Sequence, residues 1–471
     1  MKIEQLYTGC LAEAAYYIES EGEVAIIDPL RESAPYIAKA KANNAQIKYV
    51  LETHFHADFV SGHIDLANKT NSTIVFGPTA QPGYPAHIAS DGEILYLGKL
   101  KIKVLHTPGH TLESSCYLLL NENDQPHAVF TGDTLFIGDV GRPDLVQKVK
   151  AEITPQYLGG LLFDSLRNKL ITLPDEVIVY PGHGAGSACG KKMDKETVST
   201  IGKQKQFNYA LRSDMSKQEF IAAVTDGLVE PPQYFPANVV MNLTGKVASM
   251  DEVLLRGNRG LHPKDFWTKC NEKGTLVLDT RKKDAFASSH IPHSIFIGID
   301  DSFAPWVGTL IQDLATPILL VTEPGREEEV ITRLSRVGYD NTIGYLQGGI
   351  DEWKNEGLPL SSLKEVTAEE FTVIYQPNVN LIDARRKSEF ETEHLDGATN
   401  FPLDFVNKNI SKLDKNKEYF VHCAGGYRSV ILCSILNARG FSRLVNIKGG
   451  YSALAKTSLK RSEKHLVNTE L

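Results

Sequence analysis

Thr53-His54-Phe55-His56-Ala57-Asp58-Phe59 sets two imidazoles and a carboxylate at alternate positions, directly behind the apolar run Tyr49-Val50-Leu51. Side chains of that chemistry, on a loop leaving a strand, can converge on one metal ion. Three further apolar runs end the same way. Val104-Leu105 leads to His106-Thr107-Pro108-Gly109-His110, Val129-Phe130 to Thr131-Gly132-Asp133, and Ile178-Val179-Tyr180 to Pro181-Gly182-His183. Any one of these residues could simply cap a turn; four in this order point to a metal site along one edge of a sheet.

A different chemistry lies near the C-terminus, in Val421-His422-Cys423-Ala424-Gly425-Gly426-Tyr427-Arg428-Ser429. The segment follows an apolar run and opens the helical stretch 430–439. A cysteine there sits over backbone N–H groups at a helix N-terminus, with Arg428 closing the loop. That field favours the thiolate, the form that attacks sulfur. Gly425 and Gly426 let the backbone curl around a small anion, and Tyr427 and Ser429 complete the binding loop. Cys433, inside Ile431-Leu432-Cys433-Ser434-Ile435-Leu436, reads as a packed core residue instead.

The elements that must position these groups are legible from periodicity. Val24–Ile27 reads as a buried strand ending in the turn Asp28-Pro29, and further strands are expected at Tyr49–Glu52, Thr73–Phe76, Ile102–His106, Ser115–Leu120, Ala128–Thr131 and Val177–Tyr180. Helices are expected over Leu158–Leu170 and Ser216–Asp226, the second with a capping box at Ser216 and Glu219. The Pro-rich stretch Glu230–Pro236 reads as the close of a first segment, 1–245. An internal repeat fills the remainder: Val277-Leu278-Asp279-Thr280-Arg281 returns as Leu381-Ile382-Asp383-Ala384-Arg385, with Phe286 and His290 matched by Phe390 and His394. Ile318–Val321 aligns with Glu418–Val421, and Gln347-Gly348-Gly349-Ile350 with Lys448-Gly449-Gly450-Tyr451. Each copy, 246–362 and 363–471, reads as an α/β unit with a parallel sheet, giving an α/β multidomain chain. The Asp279/Arg281 and Asp383/Arg385 pairs are expected to be structural ion pairs.

The chain of 471 residues is too long for one core. Its formal charge of −8, with acids and bases interspersed, argues against nucleic acid as a partner. No apolar run approaches a membrane span, and the N-terminus lacks the pattern of a signal peptide. Six cysteines over this length make no disulfide framework, so a reducing, cytoplasmic compartment is expected.

The histidine and aspartate motifs resemble the metallo-β-lactamase superfamily over residues 1–245, which implies an αββα sandwich with the metal at its mouth. Typical members carry His-x-His-x-Asp-His and hold two metals. Here Phe59 takes the last position, and an apolar ring cannot ligate, so one metal per chain is expected. Within the superfamily the segment most resembles the persulfide dioxygenases. That resemblance implies one Fe(II) held by His54, His110 and Asp133, with His56, Asp58 and His183 around them and His106 structural. The residues alone also admit zinc on His54, His56 and His110. Arg142 matches a basic residue of the dioxygenases beside the thiol pocket; it reads equally as an arginine paired to a neighbouring acid. Cys189 reads first as a small packed cysteine and second as another thiol near the metal.

The cysteine loop resembles that of rhodaneses, which implies a sulfurtransferase using a Cys423 persulfide stabilised by Arg428. The first copy departs there: overlaid without a gap, Glu323 takes the position of Cys423, so that copy is expected to be inactive, and Cys270 does not replace the thiol. Together the segments resemble bacterial persulfide dioxygenase–rhodanese fusions, with two α/β/α rhodanese domains behind the sandwich. The resemblance implies oxidation of a low-molecular-weight thiol persulfide by O2 to sulfite, and transfer of a second sulfane sulfur to sulfite to form thiosulfate. The setting would be disposal of sulfide-derived persulfide (hydrogen sulfide metabolism). The sequence after His183 departs from glutathione-specific relatives, so the thiol is left open; no membrane partner is expected, and a homo-oligomer is. A zinc-dependent thioester hydrolase of glyoxalase II type is the alternative, and a sulfur-sensing module a third.

Overall fold

The computed structural model describes residues 1–145 and 153–462. It divides the chain into two compact units, Met1–Glu252 with Thr332–Tyr339, and Val253–Ile331 with Asp340–Leu471. Residues 463–471 of the third sequence segment lie outside the described residues.

In the first unit one sheet runs in chain order: β1 (Lys2–Thr8), β2 (Glu13–Ser20), β3 (Glu23–Ile27), β4 (Gln46–Leu51), β5 (Thr73–Phe76) and β6 (His87–Ile88). The other also follows chain order: β7 (Ile94–Leu97), β8 (Leu100–His106), β9 (Ser115–Leu120), β10 (Pro126–Gly132), β11 (Ile178–Pro181) and β12 (Ser199–Thr200). Period-two alternation decides which side chains meet. Ala14, Tyr16 and Ile18 of β2 join Ile102, Val104, Tyr117, Leu119 and Phe130 in a core between the sheets. Their neighbours Ala15 and Tyr17 turn outward with Val24 and Ile26, against the helices Ala34–Ala42 and His63–Thr70. On the far side, Cys116, Leu118 and Val129 pack against the helices Pro155–Ser165 and Lys217–Thr225. This is the αββα sandwich. Each large apolar side chain buried there contributes about 1.5–3 kcal/mol, so a one-residue slip that exchanged the faces would be strongly disfavoured.

All the strands expected in this half form. The helix expected from Leu158 starts at Pro155 and continues past Ser165 as a π-helical turn, Leu166–Leu170. The Ser216–Glu219 capping box closes in both directions. The Pro-rich stretch runs into the helix Phe235–Thr244, with Pro236 in the first turn where no N–H is needed, and the N-terminal part of the first unit ends soon after, at Glu252.

In the second unit the two copies build two five-stranded, all-parallel sheets of identical order. The first contains β13 (Gly260–Leu261), β14 (Leu276–Asp279), β15 (Ile295–Phe296), β16 (Ile318–Val321) and β17 (Thr342–Leu346), ordered β13-β17-β16-β14-β15. The second contains β18 (Lys364–Val366), β19 (Leu381–Asp383), β20 (Ala398–Asn400), β21 (Tyr419–His422) and β22 (Leu444–Ile447), ordered β18-β22-β21-β19-β20. Helices such as Pro263–Cys270 and Ala368–Ile374 cover the sheets, with Phe266, Trp353 and Phe371 fully buried. Both Asp-x-Arg pairs are structural ion pairs. Arg281 meets Asp279 at 2.7 Å and the Ser289 carbonyl; Arg385 meets Asp383 at 2.6 Å and the Glu393 carbonyl.

Candidate metal centre and cysteine loop

β4, β8 and β10 end at one edge of the sandwich, and the loops they release bring His54, His110 and Asp133 together, with ligand-type atoms within 4.8 Å of one another. All three residues are buried. Hydrogen bonding fixes the lone pairs. His110 Nδ1 donates to the Arg142 carbonyl at 2.9 Å, which turns Nε2 to face Asp133 Oδ2 at 3.4 Å. The Thr53 hydroxyl gives its single proton to Asp28 at 2.8 Å, so it must accept from His54 Nδ1 at 3.0 Å. His54 Nε2 is then the lone pair, 4.0 Å from the same carboxylate oxygen. Both Asp133 oxygens are buried with no hydrogen-bond donor. Two imidazole Nε2 atoms and a buried carboxylate without a hydrogen-bond partner, converging on one point, fit a divalent cation. Burial and the neighbouring imidazoles hold His54 well below the usual histidine range, so it stays neutral and able to ligate.

Three approaches are so tight that glycine is required. A Cβ on Gly141 would lie 1.9 Å from the Asp133 carbonyl, and one on Gly182 would lie 2.8 Å from Asp133 Oδ1. Gly109, at φ +150°, would meet Leu162 at 2.4 Å.

His56 does not face this cluster. Its Nε2 lies 3.1 Å from Asp28 and 3.6 Å from Glu52. Burial opposes its charge, but the Asp28, Glu52 and Asp58 carboxylates outweigh burial and raise it to about 10. His56 Nε2 is thus directed to the Asp28 and Glu52 carboxylates, with which it forms a group of its own. Asp58 and His183 form a second group with Cys189. His183 Nδ1 donates to the Ala12 carbonyl at 3.1 Å, while Nε2 lies 3.3 Å from Asp58 and 3.5 Å from Asp133. Burial pushes Asp58 up, and burial with the Asp58 and Asp133 charges pushes the Cys189 thiol well up, leaving it protonated. Phe59 is fully buried, its ring 4.3 Å from that of His56. His106 ties its ring to the Leu112 carbonyl at 2.9 Å.

Arg142 presents no free fork. It is clamped to Asp144 at 2.6 and 2.7 Å and donates to the Ala188 and Val229 carbonyls, so it braces the loops instead of offering a guanidinium to substrate.

Several residues of this site are invisible to motif reasoning. Asp28 and Glu52 look like a turn residue and a strand end, and Glu13 like the start of a strand, yet all three are buried acids beneath the metal loop. Asn242, from the helix after the Pro-rich stretch, donates to the His56 and Phe59 carbonyls at 2.8 Å each and accepts from Ser61 N–H at 2.9 Å. Its helical pattern signals only burial.

In the second copy Cys423 follows β21 and is buried. The Gly426 N–H donates to its Sγ at 3.1 Å, at the start of the helix Tyr427–Ala438. Gly426 has φ +97°, which lets the loop turn into that helix. Ser429 Oγ donates to the Gly426 carbonyl at 3.2 Å, while Gly425 keeps a negative φ. The Gly449-Gly450 turn brings Tyr451 and Ser452 N–H onto the Cys423 and Ala424 carbonyls at 2.6 and 3.0 Å; a Cβ on Gly450 would lie 2.4 Å from the Cys423 oxygen. Arg428 reaches Glu389 with both terminal nitrogens, at 2.6 and 2.8 Å. Its charge is thus already matched by a carboxylate.

The strand register corrects the alignment of the first copy. β14 pairs Asp279 with Val321 and β19 pairs Asp383 with His422, so Thr322, not Glu323, lies level with Cys423. The hydrogen bonds Thr280 N–H to Val321 and Ala384 N–H to His422 agree, as do the left-handed glycines Gly325 and Gly426. The glycine follows three residues after Thr322 and three after Cys423, and the first copy's helix then starts one residue later, at Glu327. Neither position carries a thiol.

The profile of the metallo-beta-lactamase superfamily matches residues 8–183, and that of the rhodanese-like domain matches 262–356 and 367–457. A probable hydroxyacylglutathione hydrolase of Schizosaccharomyces pombe is 30% identical over 232 residues, 44% of this chain and 85% of the relative. A cytoplasmic hydroxyacylglutathione hydrolase of Arabidopsis thaliana is 33% identical over 188 residues, 39% of this chain and 67% of the relative. The crystal structure of a metallo-beta-lactamase from Staphylococcus aureus subsp. aureus COL superposes with a TM-score of 0.63 at 30% identity, covering 74% of this chain and 98% of the other. Among the described residues no helix is long and apolar enough to cross a membrane.

Proposed function

Because the chain belongs to the metallo-beta-lactamase superfamily and carries two rhodanese-like domains behind that domain, we propose that it oxidises a low-molecular-weight thiol persulfide with O2 and passes sulfane sulfur onward through Cys423. The observation that carries this reading is the three-residue donor set: two imidazoles and one carboxylate, with His56 turned to Asp28 and Glu52 and Phe59 at the position of a second-metal histidine. Iron(II) held by His54, His110 and Asp133 would supply the redox chemistry that lets O2 react with sulfane sulfur.

The balance is R–S–SH + O2 + H2O → RSH + SO3²⁻ + 2H⁺. Protons must leave the pocket, and Asp58 with His183 stands there: His183 Nε2 faces the Asp58 carboxyl, whose burial favours holding a proton. In the second domain Cys423 takes sulfane sulfur from another persulfide, and sulfite attacks the outer sulfur. Cys423–S–S⁻ + SO3²⁻ → Cys423–S⁻ + S2O3²⁻ breaks one S–S bond and forms another. The Gly426 N–H, 3.1 Å from Sγ, is placed to stabilise the returning thiolate.

The test is O2 uptake by anaerobically iron-loaded protein given glutathione, coenzyme A and cysteine persulfides, with sulfite and thiosulfate quantified. His110→Ala is expected to abolish uptake, and Cys423→Ser to shift product from thiosulfate to sulfite. A second reading, a zinc-dependent thioester hydrolase, draws support from the names of the two hydrolase relatives. Thioester cleavage by zinc-loaded protein, with no persulfide driving O2 uptake, would replace the first reading with the second.

A further inference from the structure

The two copies of the repeat share one compact unit, and the loop carrying Cys423 is finished by residues of the copy that has no thiol. Tyr427, which opens the helix behind the loop, donates its hydroxyl to the Gly298 carbonyl at 3.1 Å and sets its ring edge-on to Phe296, 5.7 Å between centroids. A Cβ on Gly298 would touch that ring at 3.4 Å. The N–H of Phe296, on the edge strand β15, is taken by Ser434 Oγ at 3.0 Å. On this frame Lys283, at the first turn of the helix Lys283–Ser288, reaches the cysteine loop: its Nζ donates to the Gly425 carbonyl at 3.3 Å, and a Cβ on Gly426 would lie 3.6 Å from it.

Charge on the loop makes this contact consequential. The acceptor expected there is a dianion. Arg428 is engaged by both oxygens of Glu389, and Asp404 lies close enough to raise Arg428 further. Lys283 is half-exposed. Its three ammonium protons serve one carbonyl, and among the described residues it makes no ion pair, although Asp301 stands near enough to feel its charge.

We propose that Lys283, on the copy without a thiol, is the cation that selects an anionic acceptor at Cys423, so that the first copy forms part of the second copy's site. The proposal rests on the sulfurtransferase reading. It gives the first copy a role in specificity, and it explains why that copy keeps its fold without its nucleophile.

The experiment uses the full chain, loaded with glutathione persulfide, and compares two acceptors: sulfite, a dianion, and dithiothreitol, a neutral thiol. In Lys283→Ala the KM for sulfite rises about three- to tenfold, the effect of one nearby charge in partly hydrated surroundings. The ratio of sulfite to dithiothreitol rates falls by the same factor. Lys283→Glu falls further, Lys283→Arg restores the ratio, and 0.5 M salt brings wild type toward Lys283→Ala. Alkylation of Cys423 gives a readout independent of turnover: the rate with iodoacetate relative to neutral iodoacetamide drops in Lys283→Ala. An unchanged KM and unchanged alkylation ratio in both Lys283→Ala and Lys283→Glu overturn the proposal, as does an equal loss with both acceptors. Wild-type protein that transfers sulfur to neither acceptor overturns the sulfurtransferase reading itself.

Discussion

Replacing Asn242 with alanine removes three hydrogen bonds that hold the metal loop: two to the His56 and Phe59 carbonyls at 2.8 Å and one from Ser61 N–H at 2.9 Å. Asn242 is 2% exposed, so water does not replace them. At about 1 kcal/mol net per bond the loss is roughly 3 kcal/mol, and the orphaned carbonyls push it higher. In a unit of this size about 1 kcal/mol corresponds to ~2–4 °C, so the melting temperature falls by roughly 6–12 °C. His54 lies two residues before the clamped His56, and its Nε2 loses its fixed aim. Metal retention therefore weakens by about 10–100-fold. Thermal unfolding of metal-free protein measures the first effect, and competition with a chelator the second. Asn242→Asp keeps the acceptor for Ser61 but turns a carboxylate on two carbonyls, so it falls at least as far. If both variants melt within about 1 °C of wild type and hold metal equally well, the clamp has no energetic role and the reasoning fails.

Thr53→Val, nearly isosteric, cuts the Asp28–Thr53–His54 chain; metal affinity is expected to drop about tenfold or more with the fold intact by circular dichroism. Phe59→His adds a ligand-type ring next in sequence to Asp58 and packed on His56, and elemental analysis is expected to move from one metal per chain toward two. Glu13 is buried with both oxygens unpartnered, and burial raises it well above the usual carboxylate range. A raised acid binds its proton in the folded but not the unfolded chain. Its contribution to stability is therefore complete at low pH and lost as pH rises above ~4.5, at about 1.4 kcal/mol per pH unit until its folded-state pKa is reached. Glu13→Gln is expected to remove that slope and be the more stable protein at pH 8, read by denaturant unfolding across pH. Gly450→Ala drives a Cβ into the Cys423 carbonyl and is expected to abolish sulfur transfer while leaving O2 uptake in place.

How much of this was legible follows from range along the chain. His54, His110 and Asp133 each sit just past an apolar strand, and strands end where the local pattern says they do, so their convergence could be read from sequence. The identical sheets of the two copies were visible as repeated strand ends at Asp279 and Asp383. Asn242 was not legible: its partners lie more than 180 positions away and its helix looks like any other. The same holds for Asp28 and Glu52, whose carboxylates matter only because folding places them around His56. Arg428 illustrates a different limit. Its motif announces a guanidinium at the loop, but not that Glu389, on another helix, already occupies it. The gapless overlay that set Glu323 against Cys423 failed because two short apolar runs overlay nearly as well one residue out of step; only strand pairing fixes the register.

The matched spacing has a historical consequence. Position 322 stands level with Cys423, and the left-handed glycine follows three residues later in both copies, at Gly325 and Gly426. The first copy thus keeps the strand end and the turn that would present a nucleophile while carrying none. Divergence has fallen on the chemistry and spared the frame that props its neighbour.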